Sequence, residues 1–167
     1  MAEQDALLTR GNTAVSPSCK QWFQHANSTQ EILAALLNDG TSPKTGVQIL
    51  QKSTVDEMFR NQIPEFPDFG RQGIPDSKKW LTNPIPDIAP VEKGEPQGWG
   101  LTFMLTGGTA GRSSGSASWA GLANCFWLCD REKGIAGFIT SQILPYGDLK
   151  VLELWAGIET AVYKGLS

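Results

Sequence analysis

Apolar positions along the chain change period several times, and each change marks an element. In "NSTQEILAALLNDG", Ile32/Leu36 and Leu33/Leu37 recur at helical spacing, Ser28 and Glu31 form a capping box, and Gly40 stops the run. This predicts a helix. A second helix is expected from an N-cap at Ser53 to about Asn61 or Gln62, with Val55, Met58 and Phe59 as one apolar stripe. From Ile63 to Gln97 the periodicity dissolves, because most of the ten prolines fall there and each removes a donor and disfavours helix before it. Phe66, Phe69, Ile74, Trp80, Ile85 and Ile88 mark this long segment as a loop packed on the body of the protein.

Beyond the loop, "GWGLTFMLTGG" alternates Trp99, Leu101, Phe103 and Leu105 against Gly100, Thr102, Met104 and Thr106, which predicts a strand over Trp99–Thr106. A Gly/Ser-rich connection, "GGTAGRSSGS", follows. Then "LANCFWLC" and "IAGFITSQ", joined by the charged turn "DREKG", read as an antiparallel hairpin of strands at about Ala123–Cys129 and Ile135–Ser141. After Pro145 and Gly147, Asp148 is placed to cap a last helix with Val151, Trp155, Ile158 and Val162 on one side. The order predicts an α/β or α+β domain whose antiparallel sheet is covered by helices, with the three strands adjacent and Trp155 and Ile158 buried against them.

Composition narrows the partners. The 167 residues, 40% of them apolar, suffice for one domain that buries roughly 70% of its unfolded surface. A net charge of -3 and a pI near 5.1, from interspersed acids and bases, give no footprint for nucleic acid or an anionic membrane. The start, "MAEQDALLTRGNT", has acids at Glu3 and Asp5 and no apolar run, so no secretory signal is read and a cytoplasmic location is expected. Cys125 and Cys129 share a strand face but stand roughly 13 Å apart, beyond disulfide reach. With Cys19 they are expected to be buried thiols. The lone His25 and the scattered cysteines offer no zinc-type spacing, so neither a metal nor a cofactor is expected.

Three stretches invite chemistry. "GRSSG", Gly111 to Gly115, fits the nucleophile-elbow pattern, but a strand follows where a helix is needed, and His25 lies far upstream of Ser113. A flexible turn is the better reading. Lys44-Thr45-Gly46 repeats the triplet of penicillin-recognising enzymes, yet it falls between two helices. Stepping back three residues from each lysine gives no serine, and only Thr41 before Lys44 has a hydroxyl there. The third stretch is "SASWAGLANCFW". Its glycine suits close approach of an acyl carbonyl to a strand, although an aromatic and a glycine packed in a sheet would look the same.

Taken with "GWGLTFMLTGG", "LAALLNDGTSPKTGVQIL" and "STVDEMFRNQIPEFPDFGRQGIP", this stretch resembles the C-terminal part of the serine β-lactamase-like fold. The likeness is to fungal esterases and transesterases similar to the acyltransferase of statin biosynthesis. It covers residues 28–167 and leaves 1–27 as a divergent N-terminal segment. The resemblance implies that Trp119-Ala120-Gly121 is the W-x-G form of the motif on the strand that reaches the active site. It further implies that Leu122 donates the oxyanion-hole N–H, and that Trp119 and Gly121 bind the substrate. Acyl transfer or ester hydrolysis in fungal secondary metabolism, on an acyl ester or thioester, would be the activity.

The family's S-x-x-K nucleophile and base are missing from this chain, so no catalytic residue is assigned. Tyr146 and Tyr163 stand in neither the Y-x-N nor the Y-x-S context of the acid/base partner. Two readings stay open. The chain is a truncated or divergent enzyme portion, active when another chain complements it, or a non-catalytic remnant or binding module. Loss of the covering N-terminal portion would leave a sheet edge exposed, and self-association is the expected consequence.

Overall fold

The computed structural model describes residues 28–71, 73, 75, 76, 78–84 and 94–166. The segment 1–27 with Cys19, and loop residues Ile74, Ile85 and Ile88, lie outside them. Helix α1 occupies 28–37 and buries Leu33, Ala35 and Leu36, while Ile32 stays 60% exposed. The buried face is therefore turned away from the Ile32/Leu36 pair. Gly40 ends the helix at φ 88, and a Cβ there would run into the Leu50 carbonyl oxygen. Only glycine fits. Glu31, the distal half of the expected capping box, is instead paired with Lys44 at 2.6 Å.

Helix α2, Lys52–Met58, begins before the expected cap. Gln51 is its N-cap, without a side-chain cap bond, and Ser53 lies inside the helix. Lys52 pairs with Asp56 one turn on, at 2.8 Å, which supports that early start. The helix stops at Met58, short of Asn61, but its stripe is as expected: Val55 is fully buried, and Met58 and Phe59 pack on the core.

The sheet corrects the strand assignments. Five antiparallel strands run in chain order: β1 (Gly98–Trp99), β2 (Met104–Leu105), β3 (Ala117–Gly121), β4 (Cys125–Asp130) and β5 (Ile135–Ile139). Trp99–Thr106 is thus a tight hairpin and not one strand. Gly100 lies against the Met58 carbonyl, where a Cβ would clash, and its N–H donates to the Phe103 carbonyl at 2.8 Å to close the turn. Leu101 is turned outward, 50% exposed. The alternation failed as a guide because Phe103, Met104, Leu105 and Thr106 are all buried, on both sides of the chain. β3 separates this hairpin from β4, so the three expected strands are not immediate neighbours. Its small residues, Ala117, Ser118, Ala120 and Gly121, carry little strand signal.

Helices cover both faces, which makes this an α+β fold. On one face Ala117, Trp127, Cys129, Ala136 and Phe138 pack with Leu33 and Leu36 of α1 and Val55 of α2. On the other lies α3 (Leu149–Lys164), capped by Asp148, whose carboxylate accepts from the N–H groups of Lys150 and Val151. The cap is the expected one. Trp155 stacks on Phe126 at 6.1 Å and is half-buried, but Ile158 is 42% exposed, because it overhangs the free edge of β5.

Polar groups fasten the far end of the sheet. The Asp130 carboxylate is wholly buried and accepts from Ser113 N–H at 2.9 Å, Lys133 N–H at 3.0 Å and the Tyr163 hydroxyl at 2.9 Å. Burial opposes its ionisation, yet these donors hold it below the ordinary carboxylate range. Burial, then Asp130, pushes Tyr163 up. Arg112 and Glu159 add a buried two-point pair at 2.9 and 2.6 Å between the 107–116 connection and α3. Across the sheet end, Arg131 joins Asp39 and Asp56 and lies over the Phe59 ring.

Cys129 and Cys125 are free, as expected, but only Cys129 is fully buried. Burial raises the Cys129 thiol to about 12. A raised thiol pKa stabilises the fold below the unfolded thiol's value and loses that contribution as pH climbs through the folded value. Stability should therefore fall between about pH 9 and 12, with Cys129 supplying up to about 1.4 kcal/mol per pH unit. Denaturant melts across that range should show a shallower decline for Cys129→Ala.

Candidate functional site

At the opposite end of β3 from Asp130, Trp119, Ala120 and Gly121 lead into a three-residue loop, 122–124, before β4. Trp119 pairs with Trp127 and Gly121 with Cys125, so these four side-chain positions share a face. Trp119 remains 42% exposed, and its ring meets Trp99 edge-on at 4.8 Å. Trp99 in turn meets Phe69 at 6.0 Å, also edge-on. Three rings thus form a continuous wall. Phe69 comes from the proline-rich loop, which is docked by Gln97 N–H on the Pro67 carbonyl (2.7 Å) and Arg71 on the Glu95 carbonyl (2.8 Å). Phe66 and Trp80, expected beside it, are 58% and 71% exposed.

Gly121 is exposed, and a Cβ built on it would meet nothing within 4 Å. Its φ is not in the left-handed region. Neither backbone strain nor packing requires glycine there, so what its bareness provides is room in front of the strand. Leu122, the next residue, is 51% exposed.

The loop that carries Leu122 is fixed from behind. Asn124 adopts φ 54, the left-handed conformation that closes a three-residue hairpin loop, and is wholly buried. Its amide donates to the carbonyls of Ile143 and Pro145, both at 2.9 Å, while its oxygen accepts from the N–H groups of Gly147 (2.8 Å) and Asp148 (3.1 Å). The Ser141 hydroxyl donates to the Ala123 carbonyl from the same side. Asn83 N–H and Nδ2 then tie the 78–84 turn to Tyr146 and Gly147. Leu122 is therefore presented on a braced turn.

Sequence reasoning placed Trp119, Gly121 and Leu122 together, and they are together. It missed Trp99, read as a mid-strand residue, and Cys125, half-buried opposite Gly121 with its sulfur 3.8 Å from the Ser141 carbonyl. It also missed Asn124, although an asparagine between a small residue and an apolar run is a signal for a left-handed turn. The other candidates are engaged elsewhere. Ser113 is held at Asp130, Lys44 at Glu31, and Thr41 bridges Gln48. Tyr146 stacks on Phe126, and burial raises its hydroxyl above the ordinary value, away from what a proton shuttle needs. Among the described residues, no cluster of His, Cys, Asp and Glu is arranged to hold a metal ion, and no helix is long and apolar enough to cross a membrane.

No protein-family model matches the sequence, and no curated protein matches it. Solved structures do. The LovD9 mutant of simvastatin synthase (LovD) from Aspergillus terreus superposes with a TM-score of 0.59 at 23% identity, over 83% of this chain and 34% of that one. The LovD6 mutant gives 0.57 at 22%, over 83% and 32%. The unliganded synthase gives 0.57 at 22%, over 83% and 34%. The chain thus has the β-lactamase-like fold of these proteins and spans about a third of their length.

Proposed function

We propose that this chain supplies the acyl-binding and oxyanion-stabilising portion of a β-lactamase-like esterase or acyltransferase. The observation that carries the reading is the open front of Gly121 beside the Phe69–Trp99–Trp119 wall. An acyl carbonyl reaching the bare strand there meets the amide of Leu122, and an N–H fixed before charge develops stabilises an oxyanion better than reorienting water. The aromatic wall offers an apolar surface to the acyl chain or the acceptor. The likeness in fold to a synthase of this type supports the assignment. The S-x-x-K nucleophile must come from a polypeptide other than the 167 residues here.

A second reading is a binding module that keeps the wall without chemistry. The absence of S-x-x-K from the sequence and the raised hydroxyls of Tyr146 and Tyr163 favour it for the chain by itself. Intact-mass spectrometry after incubation with an activated acyl ester tests both. The chain alone should gain no acyl group. Mixed with the N-terminal portion of a related enzyme bearing S-x-x-K, it should restore acylation of that portion and turnover. Failure to restore turnover, with acyl esters still bound by the chain, would favour the module.

A further inference from the structure

β5 is the last strand of the sheet, and among the described residues no strand pairs with its outer edge. Its sequence, Ile135-Ala136-Gly137-Phe138-Ile139, has no charge and no proline, the devices that usually keep exposed edges apart. α1 and α3 flank the edge, one on each face, and enclose with it a groove of about 430 Å³ lined by Gln30, Ala34, Phe138, Ile139, Trp155 and Ile158. Toward solvent the α3 rim is apolar: Leu154 is 54% exposed, Ile158 42% and Val162 43%.

We propose that a second copy of the chain covers this edge, β5 pairing antiparallel with the partner's β5 about a two-fold axis at Gly137. The strand is complementary to itself in that register. Ala136 stands opposite the partner's Phe138 and Ile135 opposite the partner's Ile139, so a small residue meets the aromatic ring and the glycines meet on the axis. Beyond the strand, Lys133 faces the partner's Ser141 and Glu132 the partner's Gln142, and no like charges are opposed. A small apolar molecule would fill the groove but leave the edge N–H and C=O groups without partners, which a strand satisfies. The same two-fold axis brings the two α3 helices side by side and removes Leu154 and Ile158 from water. This inference does not depend on the acyl-transfer reading.

Sedimentation velocity of the full chain at micromolar concentration should give the mass of a dimer that dissociates on dilution. Amide exchange over 135–139 should slow as concentration rises. Ile158→Glu and Thr140→Lys change exposed positions and should each weaken the dimer by about tenfold or more while the circular dichroism stays that of the parent. If either variant misfolds, the concentration dependence of exchange in the parent decides. A parent that is monomeric throughout with fast exchange over 135–139, or a dimer that survives both substitutions, would overturn the proposal. So would an edge that is protected only by an added acyl compound or by an unrelated chain.

Discussion

Replacing Gly121 by valine in the complemented enzyme should lower kcat by about 10²–10³ and leave the fold intact. The separation of the two effects rests on the space around the glycine. A Cβ at Gly121 meets no heavy atom within 4 Å, and its φ is one that any residue adopts. Valine is at home in a strand, so a thermal melt should show little or no loss of stability. Its branched side chain would nevertheless stand in front of β3, where a carbonyl must come within hydrogen-bonding range of the Leu122 amide. Steady-state kinetics on an acyl ester, paired with a melt of the same sample, checks both halves. A variant with full activity would remove Leu122 from the oxyanion role. A variant that loses activity only in proportion to its unfolding would make Gly121 a structural residue.

What the sequence disclosed and what it withheld follow from how each element is stabilised. α1 and α3 were legible because their terminal signals, Gly40 and Asp148, act locally and are used as written. The hairpin of β4 and β5 was legible because both strands are largely buried, which makes them continuous apolar runs around the turn at Arg131–Gly134. β3 was not, since Ala117, Ser118, Ala120 and Gly121 are held in the sheet by main-chain pairing with β2 and β4, and pairing leaves no side-chain pattern. The same reason hid the division of Trp99–Thr106. There the turn depends on Met58, forty residues earlier, coming to lie under Gly100. At the site, Trp119, Gly121 and Leu122 are consecutive enough to be seen as a motif. Phe69 and Trp99 join them only through the docking of the proline-rich loop, a tertiary event that no local period encodes.

Asn124 is where stability and the proposed chemistry meet, and Asn124→Ala should be the most damaging single change to the fold near the site. Its side chain serves four main-chain groups, the carbonyls of Ile143 and Pro145 and the amides of Gly147 and Asp148, from a fully buried position. Losing one partner of a buried hydrogen bond costs about 1–3 kcal/mol, and some of the four groups will recover water, so a loss of about 3–5 kcal/mol is expected. For a domain of this size that is a fall in Tm of roughly 10 °C or more. Alanine also tolerates the left-handed φ of 54 less well than asparagine. Asn124→Gly isolates the clamp, because glycine keeps that φ without strain and removes only the four bonds. Asn124→Asp keeps the shape and both acceptor bonds but turns a carboxylate toward two carbonyls, and should be at least as destabilising as glycine. The order expected in urea melts is parent well above Asn124→Gly, with Asn124→Ala and Asn124→Asp lowest. A glycine variant as stable as the parent would mean that the turn holds itself. The brace behind Leu122 would then have to be sought in Ser141 and the 78–84 turn.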